Sequence, residues 1–181
     1  MADFCEKVGS LRAADVRVGL EVEVDCEGQI TVHDEDRQWL DLLVGAIHWL
    51  PKEPKGMTET QIIDCFLNTT QTLLRGGIRV LAHPLRFFSW FKRPTPKEVY
   101  PILADMIAEA GVAAEINFHI NEPDAEFFAL CVQRGVKISF GSDTHEIFEA
   151  GAFHPHMDML RQVVGGRNLA DVMWQLPPLK A

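Results

Sequence analysis

Short apolar runs and amphipathic segments take turns along the chain, and their spacing predicts strands and helices in alternation. Valines and Leu20 alternate with polar residues through "VRVGLEVEVD" (16–25), the two-residue period of a half-buried strand. The acidic stretch "HDEDRQWLDL" predicts a short helix, and the apolar run "LLVGAIHW" (42–49) a second strand. In "TETQIIDCFLNTTQTLLRGG", Ile62, Ile63, Phe66, Leu67, Leu73 and Leu74 recur at helical spacing until Gly76 and Gly77 stop the pattern. "IRVLAH" (78–83) predicts the third strand. The next helix is "TPKEVYPILADMIAEAG", with Thr95 placed to cap it, Pro96 at its first position and Gly111 at its end. "VAAEINFH" (112–119) and "VKISFGSD" (136–143) complete five strands around the helical "EPDAEFFALCVQRG". From Thr144 to Leu176 two short helices are expected around "VVGGRN". Such alternation predicts a mostly parallel sheet with covered faces, either an α/β barrel or an open α/β sheet.

Composition narrows the function classes. With 181 residues, 47% hydrophobic and 24% charged, the chain is expected to form one domain over residues 1–181 with a substantial core. Seventeen basic residues against 26 acidic ones give a net charge of −9, which argues against a nucleic-acid surface but leaves room for a local phosphate pocket. Cys5, Cys26, Cys65 and Cys131 form no C-x-x-C pair and read as reduced thiols. Acids stand near the N-terminus where a signal peptide carries bases, and no apolar run is long enough to span a membrane. The cytoplasm is the expected compartment, with no membrane partner.

In parallel α/β folds functional groups gather at the C-terminal ends of the strands. Here the first strand carries Glu21 and Glu23, the second ends at His48 and the third at His83. The fourth carries Glu115 and Asn117, and the fifth ends with Asp143 and His145. A lone histidine after an apolar run is more often structural, and Asp143 alone reads as a helix cap. Five strands in succession, each bringing a metal-capable side chain to the same edge, point instead to a metal centre. Imidazole and carboxylate together suit zinc, manganese or iron.

The ordered motifs "GLE" (19–21), "GAIHW" (45–49), "VLAHP" (80–84), "AAEINF" (113–118) and "GSDTH" (141–145) resemble the PHP superfamily of polymerase- and histidinol-phosphatase-like phosphoesterases. The chain looks most similar to its histidinol-phosphatase-like branch. The resemblance implies a distorted (β/α)7 TIM-like barrel, up to three divalent metals, and hydrolysis of a small phosphorylated substrate. By the same resemblance Glu21 bridges two metals, His48 and His83 complete one site, Asp143 serves a second and His145 a third. Glu21, Asp143 and His145 are thus the expected catalytic groups. Glu115 is implied as a supporting metal residue and Asn117 as a pocket residue, while Glu23 has no matched role but, sharing a face with Glu21, remains a spare candidate.

The family's opening His-x-His strand has no counterpart before Gly19, so the barrel is expected to be N-terminally incomplete, with about five strands. One complete metal site (Glu21, His48, His83) and two impaired ones follow. Open strand edges invite a second copy or a partner chain to close the barrel. "HPH" at 154–156 reads as a surface loop. Around the pocket, Arg86 is placed to meet a phosphate bidentately. Lys92 and Arg93 add positive charge, and His119 serves as a general acid or further ligand. Phe87, Phe88, Trp90 and Phe91 either wall the pocket or pack in the core. The competing expectation is a non-catalytic PHP-like module that completes or regulates a partner chain.

Overall fold

The computed structural model of the chain describes residues 16–90 and 94–176, together with Asp3, Glu6 and Lys7. Lys92, Arg93 and Phe91 lie outside the described residues, as does the side chain of Trp90. Five parallel strands form one sheet in sequence order: β1 (Gly19–Val22), β2 (Leu42–Gly45), β3 (Val80–Leu81), β4 (Ala113–Asn117) and β5 (Ile138–Gly141). The helices between them are α1 (Glu59–Arg75), α2 (Arg86–Trp90), α3 (Val99–Ala110) and α4 (Ala125–Gln133), followed by α5 (His154–Val163) and α6 (Leu169–Val172). The result is a mixed α/β fold of TIM-like type. Among the described residues no strand pairs with the outer edge of β1, while Met173 makes a parallel bridge to Ile138 at the outer edge of β5. No helix among them is long and apolar enough to cross a membrane.

The register explains how the two faces of the sheet divide. Val22, Gly45, Leu81, Ala114 and Ile138 form one row across all five strands. Alternation turns this row toward the helices, where Phe66, Leu73, Leu103, Ile107, Phe127 and Leu160 complete the buried core. Glu21, on the opposite parity, shares its row with Val44, Val80 and Ala113. Glu115 and Asn117 follow Ala113 at steps of two, so they belong to that same face. The face away from the helices therefore carries the polar groups. Gly45 allows this packing, because a Cβ there would collide with Ile78 and press on Leu73 of α1.

Local chemistry accounts for most helix ends. Thr58 caps α1 through a reciprocal capping box with Gln61, and Asp124 caps α4 by accepting from the amides of Glu126 and Phe127. Two expectations need correction. Thr95 does not cap α3: the chain first makes tight turns in which Val99 N–H reaches Pro96 O, and the helix starts at Val99 behind Glu98. "HPH" is not a surface loop either, for it opens α5 with its proline in the first turn. His156 there is buried among Phe118, Phe140 and Phe153, and its Nε2 lies 2.9 Å from the carbonyl oxygen of Gly141. Phe87 and Phe88 pack against Phe66 in the core rather than walling a pocket.

Candidate metal centre

Three neighbouring strands deliver the centre. Glu21 lies on β1, His48 three residues beyond β2, and His83 two residues beyond β3. One potential ligand atom from each falls within 4.8 Å of the others, the only such group of three among the described residues. The rings of His48 and His83 have centroids 4.9 Å apart, and Nε2 of His48 is 3.9 Å from Oε1 of Glu21. His83 sits at φ +30, a backbone region that L-residues rarely occupy and that is found preferentially where function demands it.

The donors fit a divalent cation. Both ring nitrogens of His83 are buried without a hydrogen-bond partner, although a buried imidazole ordinarily satisfies at least one. Burial, reinforced by the charges of Arg86 and His48, pushes this imidazole down to about 3, so it is neutral with a lone pair available. Glu21 is half-exposed; desolvation raises its carboxyl, His48 draws it back down, and Asp143 and Glu23 push it up again.

The same burial makes a pH prediction for the metal-free protein. The unfolded chain binds a proton at His83 near 6.5, whereas the folded chain resists it until about 3. The His83 contribution is complete above 6.5 and is lost as pH falls toward 3, on the order of 5 kcal/mol at roughly 1.4 kcal/mol per unit. Glu115 acts oppositely, since burial raises its carboxyl to about 7 and acid then favours the fold. Urea denaturation at pH 7 and pH 4 should therefore compare the wild type with His83→Leu. The wild type is expected to lose several kcal/mol relative to the variant on acidification, and an unchanged difference would refute the assignment.

Behind the three donors lies a second polar network. Glu115 Oε2 accepts from the backbone N–H of His83 at 3.1 Å and from Nδ2 of Asn117 at 3.1 Å. Its other oxygen lies where a Cβ at Gly141 would intrude, so the glycine of "GSD" makes room for this carboxyl. Arg86 is buried at 3% exposure, with Nη1 donating to Asp143 Oδ2 at 2.6 Å and Nη2 to Asn117 Oδ1 at 2.6 Å and His119 O at 2.9 Å. Burial alone would raise Asp143, but Arg86 and Asn117 hold its carboxyl below the ordinary value. The guanidinium fork expected to meet a phosphate thus meets Asp143 and Asn117. Further out, the His119 and His145 rings stack at 4.4 Å, and His145 Nδ1 is 2.8 Å from Asp143 O.

The structure therefore brings Glu21, His48 and His83 together and places Asp143, Asn117 and Arg86 beside them in one network. Glu115 supports His83 from below, and His119 and His145 form a separate stacked pair at the rim. Glu23, only a spare candidate in the sequence, has its Oε1 2.5 Å from Nδ1 of His48. The signal was its parity with Glu21 on one strand. A cavity of about 260 Å³ opens next to this assembly, shared by His83, Arg86, Glu115 and Asn117 with Tyr100 and Asn121.

These features define a TIM-like α/β fold with a carboxylate–histidine cluster at its strand ends. Among solved structures the chain is similar to HisK from Listeria monocytogenes, a protein provisionally assigned as a histidinol phosphatase, with a TM-score of 0.53 and 14% identity. The match covers 68% of this chain and 60% of that one, and it shows a likeness of fold. No protein-family model matches the sequence, and no curated protein matches it either.

Proposed function

We propose that the chain is a metal-dependent phosphoesterase acting on a small phosphomonoester, in the manner of a histidinol phosphatase. The observation that carries this reading is the convergence of Glu21, His48 and His83, with both nitrogens of buried His83 left unpartnered. These three residues would hold one divalent ion, zinc, manganese or iron, with Asp143 and His145 as further candidate ligands. When bound, the metal supplies Lewis acidity, lowering the pKa of water and neutralising charge on phosphoryl oxygens.

The chain's own residues prepare the surroundings. Glu115 and Asn117 lock the backbone that presents His83, and Arg86 keeps Asp143 ionised and pointed at the site. His119 and His145, stacked at the rim, are the groups assigned here to protonate the leaving group. The cavity beside His83 gives the alcohol portion of a small ester a place to lodge. A second copy or a partner chain pairing along β1 would close the sheet. The test is zinc- or manganese-dependent release of phosphate from small phosphomonoesters, L-histidinol phosphate among them. Activity is expected in the loaded wild type and not in His48→Ala, and equal activity in that variant would remove the assigned site.

A second reading, a non-catalytic PHP-like module, has one observation in its favour. Asp143 is already neutralised by an internal cation, Arg86, at the position where a second metal would otherwise be needed. Elemental analysis after zinc loading distinguishes the two. One metal per chain without phosphate release favours the module, and metal-dependent turnover excludes it.

A further inference from the structure

Glu23 is a carboxylate of the polar face that stands outside the ligand cluster, and its surroundings are unusually determined. It follows β1 by one residue, at the base of a small hairpin closed by the antiparallel bridge Val24–Ile30. The hairpin grips the Glu23 backbone twice: its N–H donates to Thr31 Oγ1 at 3.0 Å, and its carbonyl accepts from the Thr31 N–H at 3.0 Å. The side chain, 15% exposed, then reaches His48, where Oε1 meets ring Nδ1 and also the backbone N–H at 3.3 Å. Ring and backbone of His48 are thus held by one carboxylate.

A carboxylate accepts only, so the hydrogen between Glu23 and His48 belongs to Nδ1. In neutral imidazole the opposite nitrogen is then bare. That nitrogen, Nε2, is the one facing Glu21 at 3.9 Å. A bare Nε2 is what a metal ligand must offer, and outer carboxylates commonly fix this tautomer and increase ligand basicity. From this geometry we infer that Glu23 is the positioning residue of the metal centre, holding His48 in the Nδ1–H tautomer with Nε2 presented to the ion. It does so without touching the ion itself. The inference rests on the metal-binding reading above, but its principal readout does not require metal.

The experiment combines nitrogen-15 NMR of histidine-labelled protein with zinc titration, on the wild type, Glu23→Ala and Glu23→Gln. In metal-free wild type the His48 ring is expected to carry its proton on Nδ1. In Glu23→Ala the proton moves to Nε2, the tautomer favoured by an unassisted imidazole, while His83 resonances keep their positions. Zinc dissociation constants are expected to rise about 10- to 100-fold in Glu23→Ala. Glu23→Gln, which keeps a neutral acceptor, is expected to fall between the two. A His48 proton on Nε2 in the wild type overturns the inference, as does zinc affinity in Glu23→Ala within twofold of the wild type. If Glu23→Ala does not fold, the near-isosteric Glu23→Gln decides by the same two readouts. Absence of zinc binding in the wild type would sink the metal-dependent function, and the tautomer alone would then decide the role of Glu23.

Discussion

Arg86→Ala is expected to lower the free energy of unfolding by about 3–5 kcal/mol, the usual consequence of removing one partner from a buried ion pair. The guanidinium is 3% exposed and bonds to Asp143, Asn117 and the carbonyl of His119, so its loss strands three acceptors at once. Lysine is no substitute, because a point charge cannot span Asp143 and Asn117 as the planar fork does. The double variant Arg86→Met with Asp143→Asn should recover part of the loss, since it removes the orphaned charge and keeps the buried stem. Urea denaturation measures all three proteins. A loss below about 1 kcal/mol for Arg86→Ala would mean that water reaches the network and replaces the arginine.

His83→Leu is expected to separate binding from stability. Zinc affinity should fall by more than about 100-fold, beyond the effect of losing an outer-sphere partner, because a direct ligand is gone. Thermal stability of the metal-free protein at pH 7 should stay level or rise, by up to about 1–3 kcal/mol for each unsatisfied nitrogen removed. His83 fills a buried position with two polar atoms that no described residue satisfies. A residue kept at such a site against the interest of the fold points to a ligand from outside the chain. Calorimetric titration and a melting curve test both parts. A destabilised metal-free variant with unchanged zinc affinity would make His83 a structural residue.

The order of strands and the identity of the cluster were legible because strand period and strand-end position are local properties of sequence. Glu21, His48 and His83 follow apolar runs, and parallel pairing in sequence order carries all three to adjacent strand ends. The inward contacts of Arg86 were not legible, for the opposite reason. That its fork turns inward to Asp143, 57 residues away, depends on tertiary geometry that no local pattern encodes. Two short helices around "VVGGRN" were legible, as α5 and α6, but the inclusion of "HPH" in the first of them was not. His156, Met159, Leu160 and Val163 recur at three, four and seven residues, the stripe of an amphipathic helix. The start of α3 shows the remaining weakness, since a proline after threonine fits a turn as well as a helix's first position.

The arrangement of the ligand cluster also bears on the mechanics of the sheet. Its three members belong to three consecutive strands, and the first of these, β1, is the outermost, paired on one side only among the described residues. An ion bound there works as a rivet through the edge. Whatever free energy it gains from the folded chain is withdrawn from fraying of β1, because opening that strand would carry Glu21 away from its two histidines. Affinity for the ion and resistance of this edge to peeling are then one quantity measured in two ways.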